Sequence, residues 1–179
     1  MKRLFFVFSF MALVLTNVTA QQAAVEVSFE FTRQSGHASN QFAIWIEDAQ
    51  GQFIKTLNVT RWTARGGWNR RPDAIPIWVR QSNVSNMSRD QIDTISSATP
   101  RTGVLTYTWD GTNNRGTPVP AGEYILILEG TLRWGNRVIY RAPIVLGQRA
   151  NITEVNAEYF GESTAERSMI NNVRVRVLR

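Results

Sequence analysis

Hydrophobic and polar residues alternate along much of this chain, a pattern typical of β-strands that bury one face. The clearest case is Val25–Thr32, where Val or Phe at every second position alternates with Glu, Ser or Thr. Comparable runs predict seven further strands, at Phe42–Glu47, Phe53–Val59, Val104–Trp109, Glu123–Arg133, Arg137–Leu146, Ile152–Phe160 and Val173–Leu178. About eight strands joined by turns predict an all-β sandwich.

Two segments depart from this alternation and are predicted to be long loops. The first, Trp62–Ser82, contains three Trp residues among Gly and Pro, with one helical turn expected near Asp73–Val79. The second, Gln81–Gly103, is polar and rich in Ser and Thr. Long loops in compact domains are often functional, so these two segments are where we expect a site.

The N-terminus has the features of a secretory signal peptide. Lys2 and Arg3 precede the apolar run Leu4–Leu15, and Val18-Thr19-Ala20 forms a small-residue cleavage site. The apolar run is too short for a stable membrane anchor. We therefore expect a signal peptide at residues 1–20, a single β-sandwich domain at 21–179, and a periplasmic protein with no direct membrane insertion after signal cleavage.

The composition excludes several kinds of chemistry. The chain has no Cys, which rules out disulfides, thiolate metal sites and thiol redox reactions. Its one His, His37, lies in a polar turn without a motif-bearing nucleophile, so no catalytic dyad is expected. These absences predict a protein with no catalytic constellation of its own.

Basic residues exceed acidic ones, 20 to 14, and beyond the predicted signal peptide all are Arg except Lys55. Arg binds phosphate and carboxylate in a planar, bidentate manner, so a phosphate-binding face is one interpretation of the first long loop and its flanks. Its candidate residues are Arg65, Arg70, Arg71 and Arg80. The alternative, which we favour, is solvated loop positions. Nucleic acid is not an expected partner because the arginines are scattered and the protein is exported.

The segment Leu105–Tyr124 predicts a strand that ends at Trp109 and a structured turn after it, with Asp110 capping the turn and two Gly residues allowing left-handed backbone. A calcium loop is the poorer interpretation, because Gly is missing at the sixth position and an acid at the twelfth. The segment resembles a hairpin of the immunoglobulin-like domain in the flagellar hook-capping family. This resemblance implies an immunoglobulin-like β-sandwich and nothing about flagella.

The segment Asp93–Thr99 resembles the acceptor motif for covalently attached FMN. That motif is an Asp, two variable residues, Ser or Thr, a small residue, Ala, and the Thr or Ser that is modified. Asp93, Ser96, Ser97, Ala98 and Thr99 hold these positions, with Ser97 where Gly is common. The alternative is a polar turn that leads into the next strand.

Four stretches together resemble a family of predicted periplasmic bacterial proteins of unknown function. They are Phe42–Asp48, the loop around Trp68 and Trp78, Asp93–Pro100 and Tyr107–Gly111, within a match from about Val25 to Leu146. Members of that family are often encoded near FAD:protein FMN transferases and membrane-bound redox components.

The resemblance implies an electron-transfer carrier with FMN covalently attached to Thr99, and it makes Asp93, Ser96 and Ala98 the other cofactor-binding residues. The implied partners are an FAD:protein FMN transferase and a membrane-bound redox protein. Trp62, Trp68 or Trp78 is then a candidate to shield the flavin ring. The alternative function is a non-catalytic immunoglobulin-like binding or assembly module of the cell envelope.

Overall fold

The computed structural model describes residues 24–36, 39–148, 150–162 and 166–178. Within these ranges the chain forms ten strands in two sheets. The strands are β1 Val25–Phe31, β2 Gln41–Asp48, β3 Phe53–Thr60, β4 Ser96–Ser97, β5 Gly103–Trp109, β6 Gly122–Arg133, β7 Asn136–Leu146, β8 Asn151–Glu154, β9 Ala157–Phe160 and β10 Ile170–Val177. One sheet has the order β5-β1-β10-β8 and the other β4-β3-β2-β6-β7-β9. The expected all-β sandwich is confirmed, with ten strands in place of about eight.

The two sheets pack face to face around a large apolar core. In β1 the four apolar side chains are buried, whereas the polar side chains between them are half-buried or exposed. Aromatic rings bridge the sheets: those of Phe29 and Phe42 have centroids 5.6 Å apart and planes 83° apart. Trp109 and Tyr124 form a similar pair with centroids 5.2 Å apart. Such edge-to-face pairs contribute about 0.5–1.5 kcal/mol beyond their buried area.

A layer of short helices covers the outer face of the six-stranded sheet. It consists of a kinked turn Thr63–Gly67, α1 Trp68–Arg70, α2 Pro76–Ser82, a 3-10 turn Val84–Asn86 and α3 Arg89–Ile95. This layer explains why seven of the eight residues of β2 are buried, since β2 has the sandwich core on one face and the helices on the other. The two long segments expected to be loops are therefore largely helical.

Glu129 joins the helical layer to the sheet. It is fully buried in β6, where its Oε1 accepts the backbone N–H of Ile77 at 3.2 Å and its Oε2 that of Trp78 at 2.9 Å. Both amides lie in the first turn of α2, whose N–H groups have no partner within the helix. Burial raises the pKa of Glu129 to about 7, although these hydrogen bonds and the charges of Arg137 and Arg80 lower it.

The segment predicted as one strand, Ile152–Phe160, forms two strands that belong to different sheets. β8 pairs with β10, whereas β9 pairs with β7. The chain crosses between the sheets at Val155 and Asn156, where the Val155 N–H donates to the carbonyl of Val173 at 3.0 Å. Alternation in the sequence gives the face of a strand but not the identity of its neighbour, so the prediction of one strand was wrong.

Two of the predicted features, the signal peptide at residues 1–20 and His37, lie outside the described residues. In the part of the chain that the structure describes, every helix is too short and too polar to cross a membrane.

Candidate functional site

Four connections of the fold meet at one end of the sandwich. The end of β1 pairs with the start of β5, through Phe31 and Gly103, and the start of β2 pairs with the end of β6, through Gln41 and Thr131. β4 runs parallel to the end of β3. The β1–β2 connection, the segments that follow β3 and β4, and the β6–β7 turn therefore lie close together.

These connections enclose an open cleft of about 460 Å³, within the range of roughly 300–1,000 Å³ typical of small-molecule sites. Its walls carry three arginines, two tryptophans and one threonine, which are Arg33, Arg70, Arg71, Trp62, Trp134 and Thr99. Ser39, Asn40 and Gln41 line it as buried polar residues. We call this space the end cleft.

The end cleft is positively charged. None of the described residues that line it is acidic, and its three guanidinium groups form no ion pair within 4.0 Å with any carboxylate in the described ranges. Unpaired arginines that line one space attract an anion, and guanidinium groups match the oxygens of phosphate or carboxylate.

Arg71 is the most constrained of the three arginines. Its Nε and Nη2 are buried and have no hydrogen-bond partner among the described residues, and its guanidinium carbon lies 5.1 Å from the ring centroid of Trp62. Burial lowers the pKa of Arg71 from its ordinary value, and the negative charge of Asp73 partly opposes this effect. A side chain at Gly67 would collide with the ring and carbonyl of Trp62, so this glycine permits the close approach that positions Trp62.

Hydrogen bonds fix the buried wall of the end cleft. The Oε1 of Gln41 accepts the hydroxyls of Thr60 at 2.8 Å and Thr63 at 2.9 Å, which ties β2 to the end of β3 and to the first helical turn. The side chain of Asn40 accepts the Gln34 N–H at 2.7 Å and donates to its carbonyl at 2.8 Å. These bonds join Gln34, which follows β1, to Asn40, which precedes β2, beside the cleft.

Trp134 occupies an unusual backbone conformation. It lies in the two-residue turn between β6 and β7, with φ of 48°, and its side chain is 56% exposed. The left-handed region costs a residue with a Cβ about 1–2 kcal/mol, and strained residues cluster at functional sites. The turn therefore holds a large aromatic ring at the cleft and in solvent at some expense of stability.

The candidate flavin-acceptor motif spans three kinds of structure. Asp93 is an exposed residue of α3, Ser96 and Ser97 form β4, and Ala98 and Thr99 lie in the irregular segment that follows β4. Ala98 is exposed, and Thr99 is half-buried and lines the end cleft. The expectation of one continuous loop from Asp93 was wrong, because α3 belongs to the helical layer and β4 pairs with β3 at the edge of the sheet.

Each polar residue before Thr99 has a separate environment. Asp93 pairs with Arg65, whose Nη2 lies 2.6 Å and whose Nε lies 2.9 Å from its Oδ1. Both side chains are 41% exposed, so this pair contributes only about 0.2–1 kcal/mol. The Ser97 side chain hydrogen-bonds with that of Tyr107 on β5. The Ser96 hydroxyl is buried and has no partner among the described residues.

The family model of DUF2271, described as a predicted periplasmic protein, matches residues 22–162. The chain belongs to the DUF2271 family. The match includes β1 to β9, the helical layer, the candidate motif and every described residue of the end cleft. The family's description confirms the expected periplasmic location. No curated protein and no solved structure has significant similarity to this DUF2271 chain.

The structure brings together only some of the residues singled out in the sequence. Of the cofactor-binding candidates, Thr99 lines the end cleft, whereas Asp93, Ser96 and Ala98 do not. Of the arginines proposed as a phosphate face, Arg70 and Arg71 line the cleft. Arg65 pairs with Asp93 instead, and Arg80 lies on α2. Of the three tryptophans considered as ring shields, Trp62 lines the cleft and Trp78 is fully buried. Trp68 packs against the apolar cluster that contains Trp78.

Sequence reasoning missed Arg33 and Trp134 as residues of this site. Each occupies a connection between two strands, and neither has a motif around it. The one local signal was the pair Trp134-Gly135 between two strongly predicted strands, where a bulky aromatic residue occupies a turn position that usually favours Gly or Asn.

Proposed function

We propose that this DUF2271 protein is an exported electron-transfer carrier in which a separate FAD:protein FMN transferase attaches FMN covalently to Thr99. The observation that carries the proposal is that Thr99, the acceptor position of the motif, lines a cleft with three unpaired guanidinium groups and two exposed tryptophans. A phosphoester at Thr99 places an anion beside the cations, and a flavin has the flat aromatic system that stacks on indole.

The arrangement of the end cleft fits FMN better than a purely structural turn. A turn that only leads from β4 to β5 needs neither unpaired arginines nor a strained tryptophan beside its threonine. Arg33, Arg70 and Arg71 would hold the phosphate, and Trp62 and Trp134 would contact the ring. The flavin supplies the one- and two-electron chemistry that amino-acid side chains lack.

The attachment step requires that the Thr99 hydroxyl reach the active site of the transferase. In that step the Thr99 oxygen bonds to the FMN phosphorus of FAD, the pyrophosphate P–O bond breaks, AMP leaves, and the hydroxyl proton passes to a base of the transferase. Metal ions in the transferase stabilise the charge that develops. Exposure of Asp93 and Ala98 on the approach to Thr99 supports docking of a second protein there.

The redox partner is proposed to be a membrane-bound protein on the periplasmic side. The end cleft is open to solvent, so an electron donor or acceptor can approach a flavin held there without unfolding the domain. The carrier role needs no catalytic group of its own, in keeping with the expectation that the protein is not an enzyme.

The proposal is tested by coexpressing the protein with an FAD:protein FMN transferase in a bacterial periplasm. We expect a flavin-fluorescent band after denaturing electrophoresis and a mass increase equal to one FMN minus water. The Thr99→Ala variant should lose both signals, whereas Thr99→Ser should keep them because the motif accepts either hydroxyl. Thr106→Ala is the matched control, since Thr106 is an exposed threonine of β5 that lies outside the motif and outside the end cleft.

Recognition of the motif is tested in the same assay with an acidic pair on one helix. Asp93→Asn should reduce labelling, whereas Asp90→Asn should not, because both acids are exposed on α3 and only Asp93 belongs to the motif. Absence of labelling in the folded wild-type protein, beside a labelled positive control for the transferase, would refute the proposal. The non-catalytic binding or assembly module would then be the remaining function.

A further inference from the structure

We infer that the end cleft is a built binding site for the FMN carried by Thr99, with Arg71 as a ligand of the phosphate and Trp134 as a cover for the isoalloxazine ring. The inference deepens the proposed function and rests on it for the identity of the ligand. It goes further in stating that the flavin docks on the protein surface and does not hang freely in solvent.

The guanidinium group of Arg71 is partly buried and lacks acceptors among the described residues. A guanidinium group stays charged in proteins, so burial of part of this group without an acceptor for Nε and Nη2 is unfavourable. The described carboxylate that influences it, Asp73, acts through its charge without an ion pair within 4.0 Å. An anion in the cleft would compensate this charge, and Arg33 and Arg70 would add to the attraction.

Trp62 and Trp134 expose large aromatic surfaces at the end cleft. Trp62 is 43% exposed and Trp134 56% exposed, although each lies beside buried structure. Exposed large aromatic side chains around one cleft offer apolar, polarisable surface to a flat ring. Trp134 is kept there by a backbone conformation that glycine would adopt at no steric expense. A contact between the Trp134 indole and the flavin ring accounts for both the exposure of Trp134 and its strained backbone.

The phosphate contact is tested without the covalent bond, in the Thr99→Ala protein. We expect this protein to bind free FMN, followed by quenching of flavin fluorescence, with Kd at or below about 1 mM, the effective concentration that a short tether provides. Riboflavin, which lacks the phosphate, should bind at least about tenfold more weakly, since charge-assisted hydrogen bonds contribute about 1.5–3 kcal/mol. Adding Arg71→Ala should weaken FMN binding about tenfold and leave riboflavin binding unchanged.

Arg115→Ala in the same background is the matched control for charge. Arg115 is an exposed arginine in the β5–β6 turn, at the opposite end of the sandwich, so its loss should not change FMN binding. Equal losses in the Arg71 and Arg115 variants would mean that FMN responds to net charge alone, which would overturn the role of Arg71.

The ring contact is tested in the flavin-loaded protein with Trp134→Gly. We expect iodide to quench the flavin fluorescence of this variant at least twofold more strongly than that of the wild type. The variant should also melt about 2–4 °C higher, because glycine relieves the left-handed strain. The rise in Tm distinguishes loss of the cover from damage to the fold.

Failure of this inference and failure of the proposed function have different signatures. Covalent labelling of Thr99, together with no FMN binding by Thr99→Ala up to about 1 mM and unchanged iodide quenching in Trp134→Gly, would overturn the docking site and leave the carrier role intact. Specific FMN binding that depends on Arg71, in a protein that the transferase never labels, would support the docking site and refute covalent attachment.

Discussion

Replacing Trp78 with alanine is expected to lower the free energy of unfolding by about 3–5 kcal/mol. Trp78 is fully buried in α2 against the outer face of the six-stranded sheet. Its truncation leaves a large cavity and removes the indole N–H that donates to the Thr56 hydroxyl at 3.0 Å. Because domains are stable by only about 5–15 kcal/mol, this loss is a large share of the total. Urea denaturation followed by far-UV circular dichroism measures it.

Trp134→Ala is the control for removal of a tryptophan. This side chain is 56% exposed, and alanine keeps the same backbone constraint, so we expect a change within about 0.5 kcal/mol. A loss below about 1 kcal/mol in Trp78→Ala would contradict the packing of the helical layer described above. Trp62 directly precedes that layer and Arg71 directly follows α1, so detachment of the layer should also weaken the binding of FMN to the Thr99→Ala protein.

The strands were predictable because one physical constraint, burial of a single face, imposes period two on the sequence. In β1 the prediction and the structure differ by one residue, Thr32. β2 was also predicted, although its continuous apolar run signals burial on both faces and not alternation. The structure explains this run by a layer on each side of β2, one of which is helical.

Most of the helical layer was missed for a different reason, and only one helical turn near Asp73–Val79 was predicted, where α2 begins at Pro76. α2 and α3 each have only seven residues, so neither repeats the period of 3.6 often enough to stand out from a loop. One signal was available: Ser88 and Gln91 form a capping box, in which the Ser88 side chain accepts the Gln91 N–H and the Gln91 side chain accepts the Ser88 N–H. That spacing, read as a helix start, predicts α3.

The end cleft was beyond sequence reasoning because its residues come from four separate connections. Thr99 carried a motif and was named, whereas Arg33 and Trp134 are ordinary residues until the topology places them beside it. Which connections share an end depends on strand order, and strand order is not encoded in local alternation. The candidate role of Thr99 was therefore predictable from its motif, whereas the cleft residues that surround Thr99 were not.

Glu129 illustrates the same limit in the core. In the sequence it is a single acid within an apolar strand, where the simplest expectation is an exposed side chain. In the fold it is fully buried because α2 presents two N–H groups to it. Those hydrogen bonds stabilise the carboxylate, but burial outweighs them, since the pKa rises from its ordinary 4.5 to about 7.

This pKa predicts how stability depends on pH. The folded protein holds the Glu129 proton more tightly than the unfolded chain does, so the contribution is fully present below pH 4.5. This contribution to the free energy of unfolding is lost as the pH rises to about 7, and stability does not change further through Glu129 above that value. The size of the loss is roughly 3 kcal/mol at about 1.4 kcal/mol for each pH unit.

Urea denaturation between pH 4.5 and 8, on the wild type and on Glu129→Gln, isolates this contribution. The amide does not titrate, so the difference in unfolding free energy between the two proteins should shift by roughly 3 kcal/mol in favour of the variant as the pH rises to 7. Asp110 does not interfere. Burial raises its pKa, but hydrogen bonds from Lys55 and Thr112 outweigh this and hold the pKa below its ordinary 3.8, so its contribution changes only in more acidic solution. Parallel pH profiles for the two proteins would mean that Glu129 is ionised throughout this range, with the two amides of α2 and the nearby arginines overcoming its burial.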